Sequence, residues 1–459
     1  MKIGKILLKI ITVAVACVLL MSIVLADAKN ISDLKDVRQD KWYFEAIEYV
    51  FDNGFMAGTS QSAFSPDSGV TRAMVVQTFY AIAGKPESSA ENKFSDVKSN
   101  SWYSSSVNWA NANGLAAGYP NGTFRPDVKV TREQLAVFFK AFSGYQKKNN
   151  INRAPIYDYT DYDNVSLYAL SPMEWAVAVK LISGRSKTEL KPKDTATRAE
   201  LAQMLYRYVP VTRFSYPTET ITIDMESFPL INMDEGDICC LEDDLISELN
   251  NDDVQWESTS RQYADVNNGV ITAKHIGTTY ISVREKETGF SKLICAVRVN
   301  GFADAGEAYK ELNAFRTQGA VWYWNEDNNT KTIFNTGNSV KLNALSRNSA
   351  LEETAKRRAR ELTVSASHTR PNGSDAKTAF PKGIVSYGEN IAFGSPGFVD
   401  DPGMESAKFV TELWKETNRD YSGQGHRRNM LRPVYDSVGI ACYYYDGAYF
   451  WVQDFGKMN

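Results

Sequence analysis

The feature that most constrains this 459-residue chain is a repeat near its start. The segment DVRQDKWYFEAIEYVFDNGFMAG from Asp36 returns as DVKSNSWYSSSVNWANANGLAAG from Asp96, and Trp42 and Trp102, Gly54 and Gly114, Pro66 and Pro126, and Arg72 and Arg132 are each 60 residues apart. A third copy follows at an offset of 66, taking Trp109 to Trp175, Gly118 to Gly184, Pro126 to Pro192 and Arg132 to Arg198, with Tyr168 replacing the first tryptophan. A fixed period means that each copy is one supersecondary unit burying its apolar face against its neighbours. Each copy reads as a helix after the aromatic pair, a Gly-bounded loop, and an F-x-P-D-like turn into a second helix.

Capping explains part of the motif. In TRAE at 197–200, Thr197 caps the helix through its hydroxyl and Glu200 answers from the third helical position. Gln134 can do the same in copy two, and Met74 in copy one cannot. Capping needs no guanidinium, so Arg72, Arg132 and Arg198, each at the first helical position, are left for a ligand or a structural ion pair. The pattern D-V, W-Y, G, G, F-x-P, T-R-A-E resembles surface-layer homology repeats over about 30–210. That resemblance implies repeats at 30–88, 91–148 and 154–212 in one all-α-rich, pseudo-threefold domain. It also implies docking on an anionic secondary cell-wall polysaccharide, often bearing pyruvate ketals, through Arg72, Arg132, Arg198, Trp42 and Trp102. An arginine fork at a helix N-terminus suits a carboxylate. Copies one and two keep the motif better, which places Arg72 and Arg132 ahead of Arg198.

Residues 1–28 read as a secretory signal: lysines at 2, 5 and 9, an uncharged apolar run from Ile10 to Leu25, and an A-x-A end at Ala26 and Ala28. The alternative is a retained membrane anchor; after cleavage no transmembrane segment is expected. The mature chain then holds Cys239, Cys240, Cys295 and Cys442. A bridge from Cys239 or Cys240 to Cys295 and free buried thiols both remain open. A net charge of −4 supplies no basic field, so nucleic acid is not an expected partner.

Past residue 216 the period changes. TITID, VQWES, YADVNNGVITAKHIGTTYISVRE and LICAVRVN read as strands parted by Asn-Gly and Gly turns, a small β-sandwich. The wording resembles bacterial immunoglobulin-like group 2 domains over 217–300 and implies a spacer. His275 reads as a surface residue.

From Ala303 helices return. In NSALEETAKRRAREL, Leu351, Ala355, Ala359 and Leu362 share one face, and SVGIACYYYDG and AYFWVQDFG close the chain as strands, giving α+β. Two histidines and two carboxylates stand near loop and helix ends: His368, Glu389, Glu416 and His426. Neutral imidazoles with carboxylates can ligate a divalent metal or exchange protons, although spacing alone does not bring them together. The aromatic run VWYWNED at 321–327 reads as packing rather than a sugar platform. SHTRPNGSD, GENIAFG, GHRRNML and WVQDFG resemble the CAP superfamily (SCP or pathogenesis-related protein 1 domain) over 305–459. That resemblance implies an α-β-α sandwich with a cleft of two histidines and two acids, which some members use to hold zinc or another divalent cation. By motif these are His368, Glu389 and His426, with Glu416 as a second acid standing two rather than three residues after its tryptophan, Trp414. The expectation is a multi-domain protein secreted to the cell wall or surface of a Gram-positive type or S-layer-bearing bacterium. Its repeats bind wall polysaccharide, and its cleft serves an unidentified ligand or partner. Catalysis is not favoured, since no ordered Ser-His-Asp signature is present. The alternative is a metal-dependent extracellular hydrolase of peptide or wall material.

Overall fold

The computed structural model describes residues 30–458 apart from 89, 149–150, 212–228, 242–252, 288, 290 and 397–402. The segment 1–28 expected to be a secretory signal lies outside the described residues. Helices run in pairs along the N-terminal part: α1 Phe44–Asp52, α2 Arg72–Ile82, α3 Ser104–Ala112, α4 Arg132–Tyr145, α5 Leu167–Ala178 and α6 Arg198–Val211. The chain forms two compact units: residues up to Leu135 with Asp194–Tyr216, and Ala136–Lys193 with the residues from Pro217 onward.

The first unit is closed by a ring of backbone. The short segments preceding α2, α4 and α6 meet head to tail: Val70 N–H donates to Ala196 O at 2.9 Å, Ala196 N–H to Val130 O at 3.0 Å, and Val130 N–H to Val70 O at 2.9 Å. Each extended β-branched or small residue thus satisfies its peptide groups in another copy, which makes the pseudo-threefold a hydrogen-bonding requirement. The caps form as the sequence indicates. Thr197 Oγ1 accepts from Glu200 N–H at 3.2 Å and Glu200 returns to Thr197 N–H at 2.9 Å. Gln134 repeats the return bond at 3.0 Å, while copy one keeps only the Thr71 cap, at 3.3 Å to Met74 N–H. The aspartate opening each copy also has a fixed task. Asp36 accepts from Phe64 and Ser65 N–H at 2.8 and 2.7 Å, and Asp96 from Phe124 and Arg125 N–H, both at 2.7 Å. These bonds hold Ser65 and Arg125 in left-handed backbone, φ 59° and 57°.

The second unit contains α5 and the strands β1 Leu230–Asp234, β2 Ile238–Cys240, β3 Val254–Ser258, β4 Ala264–Asn267, β5 Val270–Ala273, β6 Gly277–Glu285 and β7 Ser291–Ala303. It continues through α7 Gly306–Thr317, β8 Val321–Trp324, β9 Lys331–Phe334, β10 Ser346–Arg347, α8 Ser349–Glu361, β11 Ile384–Gly394, α9 Ala407–Lys415, α10 Gly425–Leu431, β12 Ser437–Tyr445 and β13 Ala448–Met458. One sheet runs β11-β13-β12-β7-β6-β3, with β1 parallel on β7 and β10 parallel on β12, and β2-β5-β4 form a second. Trp256, Ile271, Ile281 and Val297 are among the buried core of the strands up to β7.

Strand β7 runs through both modules. Its residues Ser291–Val299 pair with β6, while Gly301–Ala303 pair with Tyr444–Cys442 of β12. A strand hydrogen-bonded in both modules makes the join between them stiff. Ion pairs reinforce this: Arg360 to Glu174 of α5 at 2.9 Å, Arg153 to Asp234 at 3.0 Å, and Lys140 to Asp237 at 2.7 Å. Arg370 bonds both Glu361, at 2.6 Å, and Asp163, at 2.9 Å.

Helices cover both faces of the C-terminal sheet. Ala355, Ala359 and Leu362 pack on Ala441, Tyr443 and Val452. On the opposite face Leu312, Val410, Trp414 and Met430 pack on Val438, Cys442, Trp451 and Phe455. The two residue sets alternate along β12 and β13, as a strand period of two requires. Cys239, Cys240, Cys295 and Cys442 are unbridged, and burial pushes the Cys295 thiol up to about 12. His275 is exposed beside Glu235, at 3.8 Å.

Candidate functional sites

In the repeats, the three arginines are buried, only 8, 7 and 5% exposed for Arg72, Arg132 and Arg198. Arg72 Nε donates to Phe124 O at 2.9 Å and Nη2 to Ala117 O at 2.8 Å, with the guanidinium carbon 4.7 Å from the Phe124 ring centre. Arg198 does the same between copies three and one, donating to Phe64 O at 2.7 Å and Ala57 O at 2.6 Å over the Phe64 ring. Arg132 pairs with Glu200 at 2.8 Å. Of the two readings open in the sequence, the geometry gives these donors structural partners, two of the three being carbonyl clamps rather than ion pairs. Burial lowers Arg198 to about 10 and shifts Arg72 in the same direction.

The aromatic members of the motif are different. Trp42 and Trp102 are 62% and 60% exposed, and Tyr168 is 58% exposed. A groove of about 640 Å³ is lined by Asp96, Lys98, Ser101, Tyr103, Arg125 and Asp127 among others, and the Trp102 ring packs against Tyr103 with centres 5.1 Å apart. An exposed ring next to mixed charge suits a sugar, which offers a C–H face and hydroxyl or acidic groups.

In the C-terminal part the structure forms two imidazole–carboxylate pairs. His368, in the loop after α8, has Nδ1 at 2.8 Å from Glu389 Oε1 on β11. Glu389 also accepts from Arg358 Nε of α8 at 2.7 Å. Burial alone would raise the Glu389 carboxyl, but the bonds from His368 and Arg358 outweigh it and hold it below the usual carboxylate range. His426, opening α10, has Nδ1 at 2.7 Å from Glu416 Oε1. Glu416 Oε2 accepts the backbone N–H of His426 at 3.0 Å. Glu416 ends α9 with φ 44° and ψ 38°, a left-handed turn that brings its carboxylate to His426. The pairs sit on adjoining elements: Asn429 Nδ2 donates to Glu389 O at 3.2 Å, and Asn390 Nδ2 to His426 O at 3.2 Å.

Whether these groups fit a metal follows from the donors. Both carboxylates are engaged, Glu389 by Arg358 and His368, Glu416 by two backbone N–H groups and His426. Among the described residues no group of three or more His, Cys, Asp or Glu is disposed to hold a cation. The structure brings His368 to Glu389 and His426 to Glu416 as two separate pairs. Each carboxylate fixes its ring through Nδ1, and Nε2 remains the second ring nitrogen of each pair.

Two groups escaped the sequence. Arg358, fully buried, bridges Glu361 and Glu389 at 2.7 Å each, though KRRAREL reads as a solvated helix face. Asp454 is buried opposite Glu389 across β13 and β11, and neither of its carboxyl oxygens has a hydrogen-bond partner among the described residues. Burial first, then the Glu389 charge, pushes its pKa well above the ordinary carboxyl value. In WVQDFG it looks like any alternating strand residue. The VWYWNED run forms the β8–β9 hairpin, where Lys331 lies 3.4 Å from the Trp322 ring centre, in keeping with packing.

The S-layer homology domain family matches residues 33–73, 93–136 and 158–202, and the cysteine-rich secretory protein family, CAP, matches 309–455. Similar proteins include an endoglucanase of a Bacillus species, 29% identical over 38% of this chain and 18% of its own length. A cellulosome-anchoring protein of Acetivibrio thermocellus is 27% identical over 33% of this chain and 35% of its own. The S-layer protein sap of Bacillus anthracis is 27% identical over 37% of this chain and 20% of its own. The chain thus spans less than a fifth of the length of that endoglucanase. Among solved structures, an outer surface protein from Borrelia burgdorferi matches at 18% identity over 35% of this chain and 99% of its own, TM-score 0.24. The structure titled NaASP2 with Zn2+ matches at 16% identity over 34% of this chain and 80% of its own, TM-score 0.25.

Proposed function

We propose that this chain, which carries three S-layer homology repeats and a C-terminal CAP domain, is a bacterial cell-surface protein whose repeats hold it to acidic cell-wall polysaccharide while the CAP cleft meets a ligand or partner outside the cell. The observation that supports wall binding is the exposure of Trp42 and Trp102 at equivalent places in copies one and two, the second packed on Tyr103 of a charged groove. Large exposed rings on a folded surface mark a contact, and here the duplication repeats the same contact. Arg72, Arg132 and Arg198 hold the copies in place behind that surface; the carboxylate contacts of the ligand fall to rim cations such as Lys98 and Arg125.

The module of residues 217–300 is an immunoglobulin-like sandwich in this reading, and the C-terminal domain an α-β-α sandwich. The CAP cleft is a binding site built on two oriented imidazoles. Its carboxylates serve as orienting groups for the two imidazoles. A divalent ion, if bound, would be held by His368 and His426 and would supply a Lewis acid there.

Binding of the full chain to purified wall sacculi tests the anchoring. Trp42→Ala with Trp102→Ala is expected to weaken retention at least about tenfold, since each aromatic contact contributes about 1–2 kcal/mol. Unchanged retention by a folded double variant refutes the assignment.

A further inference from the structure

Asp163 is out of character for its repeat. The opening aspartates Asp36, Asp96 and Asp161 are equivalent, since each accepts two successive N–H groups, Asp161 from Leu190 and Lys191 at 2.8 and 2.7 Å. Two residues after them stand Arg38, Lys98 and Asp163, so copies one and two put a cation where copy three puts an acid. Arg38 pairs within its own copy, with Asp40 at 2.8 Å. Asp163, in the turn Tyr162–Asn164, pairs instead with Arg370 of the CAP domain, which lies in the same compact unit. Arg370 Nη1 donates to its Oδ2 at 2.9 Å and Nη2 to its Oδ1.

Arg370 stands two residues after His368 and is buried. On the side away from Asp163, its Nε donates to both Glu361 oxygens at 3.1 Å and its Nη2 to Oε1 at 2.6 Å. Glu361 Oε2 also accepts from Arg358 Nη1 at 2.7 Å. Arg358 continues to Glu389 Oε2 through Nε at 2.7 Å and to Ser367 O through Nη2 at 2.8 Å, and Glu389 meets His368 Nδ1 at 2.8 Å. A continuous run of alternating charge thus leads from Asp163 through Arg370, Glu361, Arg358 and Glu389 to His368. In a buried run each member is held by the next, and removing one leaves its neighbour's charge uncompensated. The repeat also holds α8 itself, through Arg357 Nη2 on Val165 O at 2.7 Å and Arg360 on Glu174 at 2.9 Å. The other pair differs: the bonds to the Glu416 carboxylate come from His426 and the Arg427 N–H, within the CAP domain.

We infer that Asp163 is a positioning residue of the CAP cleft: acting through Arg370 and the Arg358–Glu361 pair, the third repeat sets the orientation of His368. This rests on the reading of the cleft as two oriented imidazoles and is independent of what the repeats bind. The His368 half of the cleft is then complete only with the third repeat docked on it, while the His426 half is complete within the CAP domain.

The test is nitrogen-15 NMR of the imidazoles in the full chain, whose three histidines, His275, His368 and His426, are assigned by single substitution. In the parent, His368 and His426 are each expected to show a fixed ring with Nδ1 bonded to a carboxylate. Asp163→Lys, which installs the charge found in copies one and two, is expected to shift the His368 signals toward those of the exposed His275 and leave His426 where it is. The Asp163 side chain is 46% exposed, so the fold tolerates its replacement. Asp163→Ala is expected to give the same shift to a lesser degree and supplies the reading if the lysine variant does not fold; Asp163→Glu, which keeps a carboxylate for Arg370, is expected to restore the parent signals. Unchanged His368 signals in folded Asp163→Lys and Asp163→Ala overturn the positioning role and leave the paired cleft standing. Equal shifts at His368 and His426 also overturn it, as a general loosening. A His368 ring already averaged in the parent overturns the paired cleft and this inference with it.

Discussion

Glu416 holds His426 at two points: one carboxylate oxygen lies 2.7 Å from the imidazole Nδ1, and the other accepts the same residue's backbone N–H at 3.0 Å. A left-handed Glu416 is unfavourable for a residue with a Cβ, and here it lets the carboxylate orient the ring while anchoring the start of α10. Glu416→Ala is expected to destabilise the protein by about 1–3 kcal/mol and free the His426 ring. Thermal unfolding and histidine NMR check it; a fixed ring with unchanged stability would contradict the pairing.

The arginine clamps carry a stability forecast. Arg198→Ala leaves the Phe64 and Ala57 carbonyls without their donor and removes the stacked guanidinium. A loss of about 2–4 kcal/mol is expected in denaturant titration. Arg198→Lys should recover little, because one ammonium does not reproduce a planar fork on a ring. Full recovery by lysine would show that charge alone matters.

Strand β7 makes a third. A fragment starting at residue 305 loses the pairing of Gly301–Ala303 with Cys442–Tyr444, exposing the β12 edge. It is expected to melt several degrees below one starting at 291, or to aggregate. Equal melting points would mean that the shared strand adds nothing.

Asp454 sets a pH dependence. Its folded pKa is raised above the unfolded value, so its contribution to stability is present in full below the unfolded pKa and is lost as pH rises through the folded pKa. Asp454→Asn removes that titration. The variant is therefore expected to lose less stability than the parent on going from mildly acid to alkaline pH, as melting temperatures against pH would register. Parallel curves would contradict the buried neutral acid.

The repeat architecture was legible because duplication displays itself without a structure. So were the caps, which act over three residues. Distance in sequence hid the rest. The partners of Arg72 and Arg198 lie 45 to 141 residues away, so the sequence offered a helix-initial arginine only a ligand or an ion pair, and not a carbonyl clamp. Arg358 and Asp454 follow ordinary helix and strand patterns, and only packing reveals that both are buried. Strand-like LICAVRVN gave no sign that its continuation, Gly301–Ala303, would join a second module.

The central claim is anchoring through acidic wall polysaccharide. Cosedimentation of the full chain with purified sacculi, before and after chemical removal of their secondary polysaccharide, tests it most directly. Retention before removal and release after it is the expected result. Retention that survives removal, or none on intact sacculi, would contradict the account.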